Sequence, residues 1–283
     1  MPSLRHHLDL GSRALADGEH PERARQDAER LLLHVLGKGK AWLMTHGEEL
    51  LPCDLPESYS ELLERRYNGE PIQYILGETE FYGLPFRVTP HVLIPRPETE
   101  HVVERALALV DRARPTQILD CGTGSGCIAL ALARELSHAR ICASDISPAA
   151  LQTAQANAER LGLAGPIRFI CADLLNVFRD ACFDLVVANP PYIALTDAPT
   201  LAREVRDHEP ATALFAGPDG TAIYRRLIPD AARVLRPGGW VVVELGYNVA
   251  DAVRELFTGP SWCPPATDRD LAGIERVMYV QRA

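Results

Sequence analysis

No two cysteines of this chain stand in Cys-x-x-Cys spacing, and the seven present (Cys53, Cys121, Cys127, Cys142, Cys171, Cys182 and Cys263) are odd in number and scattered. That pattern argues against a zinc cluster and a disulfide framework, and it fits small core residues of a reduced, cytoplasmic protein. No apolar run approaches the roughly 18 residues of a membrane span. Residues 1–10, with two histidines and an aspartate, do not have the make-up of a signal peptide. Positive charge is short as well: 29 lysines and arginines face 38 aspartates and glutamates, for a formal net charge of -9. The chain therefore exerts no long-range pull on nucleic-acid phosphates, and neither a basic arm nor an aromatic-rich target domain is visible. Internal repeats and low-complexity tracts are missing too. What is there is ordinary globular composition, 47% apolar and 24% charged over 283 residues, which suits two domains with a proper core.

Residues 1–75 read as a small helical domain. Leu4, Leu8 and Leu15 mark a first helix ending near Asp17-Gly18, and Pro21 opens a second whose Ala24, Ala28, Leu31, Leu32 and Val35 form one stripe before Gly37. A turn around Trp42 to Met44 follows, then a helix introduced by Leu55-Pro56 and closed by Asn68-Gly69. No cluster of catalytic residue types lies here, which leaves partner recognition or a packing cap. Residues 76–98 read as a β-hairpin and linker, with Phe81 to Val88 forming two β-rich runs around a glycine turn. The following Ile94-Pro95-Arg96-Pro97-Glu98-Thr99-Glu100 is either an interdomain linker opening a helix or a rigid loop beside the active site.

From residue 99 to 283 strands alternate with helices, the signature of an α/β, doubly wound, Rossmann-like sheet. Strands are expected at 117–120, 140–145, 167–171, 183–188 and 240–245, mostly parallel, with a final pair near 262–267 and 277–280 bringing an antiparallel strand near the C-terminus. Arg236-Pro237-Gly238-Gly239 reads as a turn.

Two stretches carry chemistry. The apolar run 183–188 ends at Asn189-Pro190-Pro191-Tyr192, because prolines cannot continue a ladder that needs amide donors. An amide side chain is thereby delivered to a strand's carboxyl end, with Tyr192 as an aromatic wall beside it. Earlier, Asp120-Cys121-Gly122-Thr123-Gly124-Ser125-Gly126 joins a strand to a helix, and Asp145 ends the next strand, where a carboxylate can accept both hydroxyls of a ribose. The spacing is GxGxG led by an acid. Asp120 would repel a pyrophosphate and attract a cationic amino-acid group, which favours S-adenosylmethionine over a nicotinamide dinucleotide. Asp173, past the third strand, is placed to accept from an adenine amino group or to cap a turn.

The glycine loop, Asp145, Asp173 and Asn189-Pro190-Pro191-Tyr192 resemble a class I S-adenosylmethionine-dependent methyltransferase acting on a planar nitrogen. With the 94–100 stretch, Glu209-Pro210-Ala211-Thr212-Ala213-Leu214 and the helical amino-terminal domain, the chain is similar over nearly its whole length to the release factor glutamine methyltransferases. That resemblance implies transfer of a methyl group to the side-chain amide nitrogen of the glutamine in the GGQ loop of peptide-chain release factors. It implies that Gly122, Thr123, Gly124, Ser125 and Gly126 contact the methionine part of the cofactor, Asp145 the ribose, and Asp173 with Leu174 the adenine. Leu174 stands where relatives often carry an aromatic ring.

In the implied chemistry Asn189 and the Pro190 carbonyl hold the two amide hydrogens, aim the nitrogen at the methyl group, and favour the charge that develops on it. Asn189, Pro190, Pro191 and Tyr192 bind the substrate, with the Tyr192 ring on the amide plane and its hydroxyl toward the substrate backbone. No metal is required and no dedicated general base is evident; His208 and Glu209 are candidate proton acceptors, each more often a surface or structural residue. A monomer is expected, without direct nucleic-acid or membrane binding. The rival readings are methylation of an exocyclic amine of a nucleic-acid base and a non-catalytic cofactor-binding adaptor.

Overall fold

A computed structural model describes residues 3–50 and 55–283, so that Cys53 lies outside the described part. The chain forms two compact units, residues 1–77 with 202–208, and residues 78–201 with 209–283.

The first unit contains α1 (Leu4–Ala16), α2 (Ala24–Leu36), α3 (Lys40–His46), α4 (Leu55–Tyr67) and α5 (Ile72–Leu76). Leu4, Leu8 and Leu15 of α1 and Ala28, Leu31 and Leu32 of α2 recur at helical spacing and are buried in a common core. Ser3 caps α1 by accepting from the His6 N–H, and α2 stops at Gly37 in the left-handed region. Trp42 to Met44, expected as a turn, lie within α3. The buried Arg66 donates to Asp27 at 2.7 Å and to Glu204 at 3.0 Å. Glu204 comes from residues 202–208, which sequence order had assigned to the methyltransferase domain; the ion pair shows why they belong to this unit.

The second unit opens with the hairpin β1 (Glu78–Phe81) and β2 (Leu84–Arg87), then α6 (Glu100–Leu109). Next come β3 (Gln117–Cys121), α7 (Cys127–Glu135), β4 (Arg140–Asp145), α8 (Pro148–Arg160), β5 (Ile167–Cys171) and β6 (Phe183–Ala188). After α9 (Arg203–His208) of the first unit follow α10 (Ala211–Leu214), α11 (Ala222–Val234), β7 (Leu235–Glu244), α12 (Ala250–Arg254), β8 (Ala266–Arg269) and β9 (Glu275–Gln281). Seven strands make one sheet in the order β5-β4-β3-β6-β7-β9-β8. The pairs from β5 to β7 are parallel, and β9 is antiparallel to both β7 and β8.

Side chains alternate across the sheet, as the strand period of two requires. Along β6, Leu185 and Val187 join a core with α6 and α7, while Val186 and Ala188 join one with α11. Both faces are covered, which explains why these strands are continuous apolar runs. Arg236-Pro237-Gly238-Gly239, expected as a turn, lies inside β7, and the register against β6 slips between Phe183 and Leu185. A local irregularity accommodates the missing Pro237 donor without ending the strand. The penultimate strand, expected over 262–267, occupies Ala266–Arg269, and Trp262 makes a single bridge to Arg282. No helix among the described residues is long and apolar enough to cross a membrane.

Candidate active site

Strand register brings four chain positions level at one edge of the sheet. Cys121 pairs with both Ser144 and Ala188, and Ala188 pairs with Val243. The next residues along these strands, Gly122, Asp145, Asn189 and Glu244, therefore form a row at the carboxyl ends. From β3 the chain moves one way to β4 and β5, then returns to β6 on the other side. The crevice above such a reversal is where open α/β sheets bind ligands. A cavity of about 340 Å³ lies there, within the range usual for small-molecule sites.

Gly122, Thr123, Gly124, Ser125, Asp145, Asp173, Leu174, Asn189 and Pro191 line this cavity, as do Pro95, Arg96 and Thr99. The 94–100 stretch thus both borders the site and leads into α6. Gly126, Pro190 and Tyr192 are not on the cavity wall. Gly124 has a φ of 55°, and its N–H donates to Asp145 Oδ2 at 2.9 Å. A side chain would be strained in that backbone conformation. Asp145 Oδ1 accepts from the Ser147 N–H at 2.9 Å, so both carboxylate oxygens are oriented by backbone. Burial raises the Asp145 pKa, and the backbone donors oppose that shift.

Asp120 differs from its sequence reading. Its carboxylate is fully buried, is not on the cavity wall, and accepts from Thr123 Oγ1 at 2.6 Å and the Ala129 N–H at 3.1 Å. It ties the glycine loop to the first turn of α7, and burial pushes its pKa up to about 7. Asn157 secures the same loop from α8, donating to the Ser125 carbonyl at 2.9 Å. Asp173 pairs with Arg226 at 2.6 Å, and both line the cavity.

Around Asn189 the side chains form a connected set. Asn189 Nδ2 donates to Thr99 Oγ1 at 3.0 Å, and Thr99 Oγ1 donates to Glu244 Oε2 at 2.6 Å. The Tyr192 hydroxyl, expected to face a substrate backbone, instead donates to Glu244 Oε1 at 3.5 Å. Burial is the main cause of the raised pKa of Glu244, about 7, and of the upward shift at Tyr192. Glu209 is buried and engaged by the Arg96 guanidinium and the Ile94 N–H, linking the 94–100 loop to the 209–214 segment. His208 belongs to the first unit.

The PrmC N-terminal domain model matches residues 7–77, and the Methyltransferase domain model matches 118–208. A release factor glutamine methyltransferase of Koribacter versatilis (strain Ellin345) is 43% identical over 277 residues, 98% of this chain and 97% of that protein. The chain belongs to the release factor glutamine methyltransferase family. Another member, from Salmonella typhimurium (strain LT2), is 40% identical across 97% of each chain. Among solved structures, the hMettl16 catalytic domain in complex with MAT2A 3′UTR hairpin 6 has a TM-score of 0.54 at 18% identity. That likeness spans 78% of this chain and 82% of the other, and it is one of fold.

Release factor glutamine methyltransferases are S-adenosylmethionine-dependent, and the cavity residues fit that cofactor. Ser125 Oγ is buried there beside the Cys127 thiol, and Ile146, 60% exposed, offers an apolar surface next to Asp145. Membership in this family also accounts for the two-unit organisation and for the mixed sheet. Sequence reasoning missed Glu244, Ile146, Phe215, Ile223 and Arg226, of which the last four line the cavity. Glu244 did leave a signal, a lone carboxylate at the end of the apolar run Trp240 to Val243.

Proposed function

We propose that the chain methylates the side-chain amide nitrogen of the glutamine in the GGQ loop of peptide-chain release factors. The observation that carries this reading is Asn189, which lies in one row of strand ends and one cavity with the glycine loop and Asp145. When bound, S-adenosylmethionine supplies a methyl group activated by its sulfonium. Asp145 is oriented to accept the ribose hydroxyls, Gly122 to Ser125 present backbone to the methionine part, and Asp173 with Leu174 serves the adenine.

An amide nitrogen is a poor nucleophile because its lone pair is delocalised into the carbonyl. Asn189 Oδ1 accepts one of its hydrogens and the Pro190 carbonyl the other, which aims the nitrogen and favours charge developing on it. Pro191 and Tyr192 complete the substrate-binding loop, with Tyr192 held from behind by Glu244. This reading places the reaction in the cytoplasm, with a single chain as the working unit.

Isotope transfer from labelled cofactor tests it. Purified release factor should become labelled, a variant with the GGQ glutamine replaced should not, and DNA and RNA should stay unlabelled. Label in nucleic acid alone would overturn the assignment in favour of an exocyclic amine.

A further inference from the structure

The hydrogen bonds around Asn189 have a direction. Thr99 and Glu244 are each only 2% exposed. Thr99 Oγ1 lies 2.6 Å from Glu244 Oε2 and 3.0 Å from Asn189 Nδ2. A hydroxyl carries a single proton, and an ionised carboxylate can only accept. Thr99 therefore directs its proton to Glu244 and must accept from its other neighbour. Asn189 meets that demand only by presenting Nδ2 to Thr99, which leaves Oδ1 as its remaining polar end. Turned over, the side chain would face an incoming amine or amide with donors against donors, and the substrate hydrogens would lose their acceptor.

We propose that Thr99 and Glu244 are positioning residues that select which end of the Asn189 amide meets the substrate nitrogen. The inference rests on the proposed function for the nature of the substrate; the hydrogen-bond chain itself is a property of the protein. Glu244 is further braced by the Tyr224 hydroxyl, which donates to its backbone carbonyl at 2.7 Å. The charged and titratable groups coupled to its carboxyl are Arg276 of β9, which favours the ionised form, Glu98, which opposes it, and Tyr192; Tyr224 of α11 and Cys127 of α7 are electrostatically linked to it as well. Protonated Glu244 could donate to Thr99 and free the Thr99 proton for Asn189, so that the selection is lost.

Three variants separate orientation from packing. Thr99→Val keeps the shape and removes the hydroxyl, Glu244→Gln keeps the shape and offers Thr99 a donor, and Thr99→Ser retains the hydroxyl. In the release-factor assay the first two should lose about 100-fold in kcat, the scale of a misaimed reacting group. Cofactor Kd should stay within about three-fold, and release-factor KM should rise by much less than kcat falls, because the lost acceptor is one contact of a protein-sized substrate. Thr99→Ser should recover most of the lost rate. The wild-type kcat should fall as pH drops through 7, and Thr99→Val should flatten that limb. A Thr99→Val enzyme with wild-type kcat would overturn the proposal.

A second readout needs no substrate. The Asn189 side-chain amide protons, observed by nitrogen-15 NMR, should exchange slowly in the wild type and in Thr99→Ser, and faster in Thr99→Val. Equal exchange in all three would also overturn the proposal. Failure of the wild type to label any release factor would instead remove the functional reading, and the exchange measurement would still decide the positioning role.

Discussion

Tyr192 lies so close to Gly246 that a Cβ added at residue 246 would sit 2.5 Å from the ring carbon Cδ2. Gly246 is outside the left-handed region, so space and not backbone conformation requires the glycine. The Tyr192 carbonyl is packed in the same way against Gly220, where an added Cβ would lie 2.4 Å away. Two later loops thus fix the ring and the backbone that follow Asn189.

Gly246→Ala should push the Tyr192 ring off its seat and lower methylation by about ten-fold or more, as small displacements of positioning groups do. Cofactor affinity should change little, since Tyr192 is not on the cavity wall. Steady-state kinetics beside calorimetric titration of the cofactor checks both halves. Unchanged kcat would show that the ring has no part in catalysis.

Asn189→Ala and Asp145→Ala should fail in different ways. The first should keep cofactor binding within a few-fold while methylation falls by orders of magnitude, because in the proposed mechanism the lost contact is the one to the substrate nitrogen. The second should weaken cofactor affinity by about 1 to 3 kcal/mol, the scale for lost charged hydrogen bonds. Isothermal titration on each variant separates the roles, and unchanged affinity in Asp145→Ala would refute the ribose assignment.

Arg66→Met should destabilise the helical unit. Its guanidinium compensates Asp27, which is 4% exposed, and it also binds Glu204. Removing one partner of a buried pair costs about 3 to 5 kcal/mol. Urea unfolding followed by the fluorescence of Trp42, which lies in that unit, should show the loss.

Glu244 makes a pH-dependent contribution to stability. Its folded pKa is raised from 4.5 to about 7 by burial, so between those values the folded protein holds a proton that the unfolded chain has released. Stability from this group is therefore present at low pH and is lost as pH rises toward 7. Between pH 5 and pH 8, wild-type unfolding free energy should decline relative to Glu244→Gln by on the order of 1 kcal/mol or more. Parallel pH profiles of the two proteins would show that Glu244 does not titrate in this way.

The strands of the sheet core and the residues that carry the chemistry were legible in local sequence. Apolar runs ending in Asn189-Pro190 or in the glycine loop are local signals, since missing donors stop a strand and glycines permit tight backbone turns. A sheet with both faces covered puts such strand ends at one edge, so Asn189, Asp145 and Gly122 to Ser125 could be brought together before any register was known. What stands behind them was set by packing between distant parts of the chain. That Glu244 is level with Asn189 follows from the pairing of Ala188 with Val243, a contact across 55 positions of sequence that no local pattern encodes. The burial of Asp120 beneath its own loop, the turn of the Tyr192 hydroxyl toward Glu244, and the attachment of Glu204 to Arg66 are likewise outcomes of packing. In each case a polar group went to the partner that satisfied it in the folded chain, and that partner is set by three-dimensional neighbours.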